Sequence, residues 1–310
     1  MNFTRLSVLT ICLSISTFSF ADDNSAAPEL SKVKLSTNSD KQQTESATSL
    51  KTQLNPKHLY LHSSAALIVD ETDGSVLYEK ETDKKMPIAS LTKLMTAMVV
   101  LDKKLDLNEK IRIKRVDRDR IRGSRSRLSY GTILTRYDLL KISLAASENR
   151  AANALARTYP GGKKAFIKAM NLKAQSIGMK HSAFKDPAGL HSGNLSTAKD
   201  LIKMVMASSR YKLIKEFTTT GKDYVTDKRA GWKVEFFNTN RLVRRKNWDI
   251  LLSKTGYIAD AGHCLVMETK IAKRPVIIVL LNSWGKLSKF GDSNRIKRWI
   301  QNGEKRLASI

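Results

Sequence analysis

"PIASLTKLMTAMVVLD", Pro87 to Asp102, has the apolar content of a helix buried on nearly every side. Leu91, Leu94, Met95, Ala97, Met98, Val99, Val100 and Leu101 leave no continuous polar face, the pattern of a helix inside a core. Yet Ser90 opens it, and Lys93 follows three residues later. Residues three apart are neighbours on a helix, so a hydroxyl and an ammonium sit side by side where burial penalises charge. Two plainer readings compete: Ser90 as a helix N-cap, and Lys93 as a lysine reaching to the surface along its stem.

The flanking sequence sets the fold class. Upstream, "SAALIVDETDGSVLYEK" (Ser64 to Lys80) is two alternating β runs around Asp73-Gly74, a hairpin signal. From Leu105 to about Leu213 the character is helical. Thr135 to Asp138 forms a capping box before "LLKISLAA". Helical patterns follow over about 149–157 and over 163–177, the latter stopping at Gly178. "DPAGLHSGN" (Asp186 to Asn194) reads as a turn-rich loop, and "TAKDLIKMVMAS" as another helix. After about Lys222, "DILLSKTGY", "HCLVMETK" and "RPVIIVLLN" are three β runs with links short enough to force antiparallel neighbours. A last amphipathic helix spans about 293–301. The expected class is α+β: one antiparallel sheet flanked by helices, built from about 58–104 and 222–310. An all-helical subdomain is inserted at about 105–221, and a cleft lies between the two parts.

The chain has 310 residues, and its start reads as an export signal. Arg5 precedes the apolar run "LSVLTICLSISTFSF", and small Ser19 and Ala21 follow, so 1–21 is a signal peptide cleaved after Ala21. The run is short, rich in Ser and Thr and without a basic flank, which argues against a membrane anchor. Residues 22–57 are polar and without period, a disordered tether, leaving 58–310 as the folded domain. No later run is apolar enough to span a bilayer. Cys12 leaves with the signal, so Cys264 has no partner for an internal disulfide. The net charge of +26 is spread along the chain, with no basic arm or aromatic–basic array for nucleic acid. In an exported protein it suits loose attraction to anionic wall polymers.

Three motifs carry the chemistry. Ser-x-x-Lys occurs six times, at Ser31, Ser90, Ser182, Ser196, Ser209 and Ser283, and only Ser90 opens a buried helix. Ser-x-Asn occurs at Ser36, Ser147 and Ser192, and only Ser147 lies between two helices. Lys-Thr-Gly occurs once, at Lys254, closing an apolar strand. A serine hydroxyl needs a base to become a nucleophile. None of the five histidines (His58, His62, His181, His191, His263) sits in a Gly-x-Ser-x-Gly setting. A lysine can serve if desolvation and nearby positive charge lower its pKa, which assigns Lys93 the first condition and Lys254 the second.

Together Ser90-Leu91-Thr92-Lys93, Ser147-Glu148-Asn149 and Lys254-Thr255-Gly256 resemble the penicillin-interacting serine enzymes. With "SENRAANALARTYPGG", "KAFIKAMN" and "KTGYIADAGHCLVM" the resemblance narrows to the D-alanyl-D-alanine endopeptidases of the penicillin-binding-protein-seven type, over about 61–300. It implies Ser90 as nucleophile, Lys93 as its base, and Ser147 as proton relay to the leaving amine. Asn149 would hold the substrate amide and Lys254 its carboxylate. Thr255 and Gly256 would present a strand edge, and the backbone N–H groups of Ser90 and Tyr257 the oxyanion hole. It implies no cofactor and no metal, peptidoglycan as substrate, β-lactams as covalent inhibitors, other cell-wall enzymes as partners, and a periplasmic location. Three alternatives stand beside an endopeptidase. A carboxypeptidase shares the chemistry, but familiar ones carry a further β domain and anchor for which this chain leaves no room. A β-lactamase would have Ser-Asp-Asn where this chain has Ser-Glu-Asn, and a Glu-x-x-Leu-Asn loop. A wall-binding relic would have no use for a desolvated Lys93.

Overall fold

The structure, a computed structural model, describes residues 49–309. The expected signal peptide and residues 22–48 of the tether lie outside the described residues. The chain enters through α1 (Leu50–Gln53) and a 3-10 turn at Pro56–His58. β1 (Ser63–Asp70) and β2 (Val76–Lys80) form the expected hairpin. Its turn closes by Asx bonds, Asp70 Oδ1 accepting from Thr72 N and Asp73 Oδ1 from Ser75 N, and Gly74 takes the required φ of 75°. The short β3 (Met86–Pro87) leads through a 3-10 turn, Ala89–Leu91, into α2 (Thr92–Asp102).

The middle of the chain is mostly helical. A ribbon of β4 (Lys110–Arg112) and β5 (Ile133–Thr135) precedes α3 (Arg136–Ala145), capped by Thr135 as its motif requires. Then come α4 (Asn149–Arg157), α5 (Gly162–Ser176), β6 (Leu195–Ser196), α6 (Ala198–Ser208) and α7 (Lys212–Thr219). The expectation of an all-helical insert is corrected by the β4–β5 ribbon, whose three-residue strands are too short to show a period. β7 (Lys222–Thr226) and β8 (Lys233–Phe237) form a ribbon of their own, tied to α3 by Lys141 Nζ bonding Asp223 Oδ2 at 2.7 Å. β9 (Asp249–Ile258), β10 (Gly262–Ile271) and β11 (Arg274–Ser283) are the three expected strands. α8 (Ser288–Leu307) is longer than the stretch foreseen at each end.

The main sheet has the order β2-β1-β11-β10-β9, antiparallel throughout, so both ends of the described chain build it. β1 pairs with β11 from Ser63↔Ser283 to Asp70↔Val276. The central strands read as continuous apolar runs because both their faces are covered. Leu67, Val266, Val279 and Leu281 pack towards the helices around α2. Their alternates Ala66, Ile68, Leu265, Met267, Ile278 and Leu280 share a second core with α8. The result is three layers with the sheet in the middle. No helix among the described residues is long and apolar enough to cross a membrane.

The tether boundary at residue 57 is corrected. Leu50 and Leu54 are buried in the second core, where Gly303 of α8 leaves room for them: a Cβ there would come within 2.5 Å of Leu54 Cδ2. Trp299 Nε1 also donates to Asn55 O at 3.0 Å. Two leucines in a polar stretch gave no period, but they suffice to dock a short helix. Leu50→Ala should therefore cost about 2–5 kcal/mol of stability, read as a lower thermal midpoint. A midpoint equal to wild type would return residues 50–57 to the tether.

Candidate active site

Ser90 lies in the 3-10 turn that precedes α2, and its hydroxyl makes no cap bond to the helix. Lys93, in the first turn of α2, is 0% exposed. Both plainer readings of the opening stretch therefore fail: the serine does not cap, and the lysine does not reach water. Instead Lys93 Nζ lies 2.9 Å from Ser90 Oγ, 2.7 Å from Asn149 Oδ1 and 2.7 Å from Ala188 O. The acceptors come from three segments: the turn before α2, the first residue of α4, and the loop after α5.

These contacts suit a base. Asn149 Oδ1 and Ala188 O can only accept, so a neutral amine spends its two N–H groups on them and turns its lone pair to Ser90 Oγ. Burial lowers the Lys93 pKa to about 8, against the pull of Asp186, Glu148 and Asp119, which favours the charged form. Lys254 is equally enclosed, with Nζ 3.2 Å from Thr255 O. Its pKa is lowered well below the usual value, first by burial and then by the charge of Lys93. Two like charges this enclosed oppose each other's ionisation, so the repulsion acts on both lysines.

Close backbone contacts hold the Ser90 turn. Ala89 has φ 48°, an uncommon value for a residue with a side chain. Gly189 (φ 80°) lies so near that a Cβ there would sit 1.9 Å from Ala89 O. From the other side Gly256 of β9 presses in, its would-be Cβ 3.0 Å from Ser90 N and Ile88 O. That contact brings the backbone of β9 against the turn, so Ser90 and Tyr257 lie on adjoining segments. β9 is an edge strand of the sheet, open to an added strand. Thr255 Oγ1 donates to Thr239 Oγ1 at 2.7 Å, and the half-exposed Tyr257 stacks on His263.

Ser147 sits at the turn between α3 and α4 with φ 60°. Among the described residues no hydrogen bond joins its hydroxyl to Ser90 or Lys93. The structure thus links Ser90, Lys93 and Asn149 directly, sets Lys254 within the electrostatic reach of Lys93, and leaves Ser147 flanking them.

Sequence reasoning read 186–194 as a turn-rich loop but gave it no part in the site, where it supplies the third wall. Asp186, buried, accepts backbone N–H bonds from Ala188, Gly189, Leu190 and His191, curling the loop so that Ala188 O points at Lys93. Asn194 Nδ2 donates to Thr92 Oγ1, and Thr96 Oγ1 donates to Pro187 O, pinning the loop to α2. The available signal was one Asp before Pro among turn residues, in "DPAGLHSGN". Ser124, which accepts from Asn149 Nδ2 at 2.8 Å, was also missed. Among the described residues no cluster of His, Cys, Asp or Glu is placed to hold a metal.

Gly189 gives a test of this packing. Gly189→Ala carries about 1–3 kcal/mol of backbone strain from its φ alone, before its clash with Ala89. The variant should melt earlier and should lose covalent labelling by a β-lactam more than its melting point explains. Labelling at the wild-type rate would show that the Ser90 turn does not depend on this contact.

Comparison with known proteins identifies the family. Residues 50–285 match the family described as D-alanyl-D-alanine carboxypeptidase. The chain is 45% identical over 249 residues to a D-alanyl-D-alanine endopeptidase of Pseudomonas aeruginosa, covering 80% of each chain. It is 46% identical over 242 residues to one of Escherichia coli, covering 78% of each. Among solved structures it is similar to penicillin-binding protein D2 from Listeria monocytogenes in the cefotaxime-bound form, with TM-score 0.68 and 31% identity over 78% of this chain and 98% of that one. The resemblance read from the three motifs and the α+β fold class are both borne out, and the chain belongs to the D-alanyl-D-alanine carboxypeptidase family of serine peptidases.

Proposed function

We propose that this protein is a penicillin-sensitive serine D,D-endopeptidase that hydrolyses D-alanyl cross-links between peptidoglycan stem peptides in the periplasm. The observation that carries this reading is the buried Lys93 amine 2.9 Å from Ser90 Oγ. The two endopeptidase relatives support the choice of bond, and the cefotaxime-bound relative supports β-lactams as inhibitors. Ser90 Oγ attacks the D-alanyl carbonyl carbon as its proton passes to Lys93 Nζ. Negative charge gathers on the carbonyl oxygen, which the N–H groups of Ser90 and Tyr257 receive. The C–N bond then breaks, the leaving amine takes through Ser147 the proton that Lys93 holds, and Ser90 is left acylated beside a neutral Lys93. Water adds to the acyl carbon as Lys93 takes one of its protons. The ester C–O bond breaks, Lys93 returns that proton to Ser90 Oγ, and the shortened peptide leaves as a carboxylate, its acid proton passing to solvent.

Asn149 holds Lys93 on one side and faces the substrate amide on the other. Lys254 pairs with a substrate carboxylate, whose negative charge favours the ammonium form that burial opposes. Thr255 and Gly256 give the peptide a strand edge to lie along.

Acylation by penicillin tests the nucleophile and base. Ser90→Ala should abolish the adduct in intact-mass spectra, and Lys93→Ala should slow it by about 10²–10⁴-fold while the protein remains folded. The base works in its neutral form. The wild-type rate should therefore rise about tenfold per pH unit below the Lys93 pKa of about 8 and level off above it. An adduct on Ser90→Ala would move the reaction to another serine, and a flat profile would remove Lys93 from the role of base.

The bond cut is tested on isolated sacculi. Cross-linked muropeptide dimers should be converted to monomers, with much slower release of free D-alanine from pentapeptide monomers. Lys254→Ala should depress both reactions. Chromatograms that keep their dimers while D-alanine appears quickly would make the enzyme a carboxypeptidase.

A further inference from the structure

Residues 115–127 read "RVDRDRIRGSRSR", six arginines against two aspartates. Both aspartates are spent on holding the loop. Asp117 pairs with Arg157 at 2.8 Å and accepts from Lys114 N. Asp119 accepts the N–H groups of Ile121, Arg122 and Ser124. Arg122 is paired with Asp260. Arg115, Arg118, Arg120, Arg125 and Arg127 are exposed, and none has an ion-pair partner among the described residues. Uncompensated charge this dense repels itself, and an anionic ligand relieves it.

The loop is fastened to the proposed catalytic centre. Ser124 Oγ accepts from Asn149 Nδ2, the same side chain whose oxygen meets Lys93. Arg127 N donates to Glu148 Oε2, and Arg122 Nε donates to Leu190 O in the Asp186 loop. Beside these anchors is a cavity of about 630 Å³ lined by Arg115, Arg118, Asp119, Arg120, Gly123 and Tyr130. The guanidinium of Arg150 lies 4.2 Å from the centre of the Tyr130 ring, which keeps the ring in place. A concave, arginine-lined space on the loop whose Ser124 bonds Asn149 suits a short carboxylate-bearing peptide better than a flat bilayer. The guanidinium fork is matched to carboxylates.

We propose that this loop is an anion subsite for carboxylates on the second stem peptide of a cross-linked substrate, with Arg115, Arg118 and Arg120 as its specificity-determining residues. The identity of the ligand rests on the endopeptidase reading; the arginine-lined cavity does not. The subsite gives a doubly anchored, multiply carboxylated substrate an advantage over a single short peptide.

The test is binding, measured by fluorescence anisotropy on the Ser90→Ala protein so that no cleavage is needed. The probe is a labelled cross-linked muropeptide dimer, compared with the same dimer after amidation of its carboxylates. Arg115→Gln/Arg118→Gln/Arg120→Gln should weaken dimer binding on the order of tenfold and flatten its salt dependence. The amidated dimer should bind both proteins equally weakly. Thermal melting checks the fold of the triple variant, and the single variants Arg115→Gln, Arg118→Gln and Arg120→Gln replace it if it fails to fold, since amidation alone also removes the carboxylate paired with Lys254. Dimer affinity unchanged by amidation or by the triple substitution overturns the proposal, as does no measurable dimer binding. Loss of binding to phosphatidylglycerol vesicles with dimer affinity unchanged assigns the loop to a lipid surface and overturns it too. Arginine-dependent dimer binding together with uncut sacculi would leave the subsite standing and remove the endopeptidase reading.

Discussion

An amine carried into an apolar helix loses the water that would stabilise its charge, and only neighbouring acceptors can offset that loss. Lys93 is in this position. Two of its three acceptors cannot give a proton, so the third contact, to Ser90, is the one across which a proton can move. The same enclosure that destabilises the ammonium keeps the amine directed at a single hydroxyl. Other parts of the centre follow from keeping Lys93 sealed: Asn149 covers it from α4, and the Asp186 loop covers it from the opposite side.

The seal requires chain segments to approach more closely than side chains allow. Gly189 and Gly256 lie on either side of the Ser90 turn, and a methyl group at the first would collide with a backbone oxygen. Asp186 supplies the matching attraction, one carboxylate gathering successive backbone N–H groups into a fixed curl. Its charge also opposes the lowering of the Lys93 pKa, so the loop both encloses the amine and limits its shift. Behind these contacts the sheet is buried on both faces, and β9 is fixed by its full pairing with β10.

Much of this was legible where the pattern was long or chemically odd. The apolar runs of β9, β10 and β11 and the hairpin of β1 and β2 were visible as strands, and α4 began and ended where its sequence signals lay. Lys93 was legible because a lysine has no ordinary place on so apolar a helix. Asp186 was not, because its partners are backbone N–H groups, which every residue but proline carries and which leave no mark in side-chain spacing. α1 was hidden for a related reason. Leu50 and Leu54 form no period by themselves, and the room they fill comes from Gly303, some 250 residues later. The three-residue strands of the β4–β5 ribbon fell below the length at which alternation separates from chance.

The pairing of β1 with β11 has a consequence for how the chain reaches this state. Ser63 and Ser283 share a hydrogen bond across 220 residues, and among the described residues β1 has β2 as its only other sheet neighbour. During synthesis the β1–β2 hairpin is complete long before β11 exists, and an isolated hairpin is marginal in water. Its apolar faces must wait for β11 and α8, which follow it by some 200 residues. Loop closure over that distance is an entropic cost met before any of the sheet's long-range contacts form. The sheet therefore cannot close until a late segment of the described residues returns to an early one.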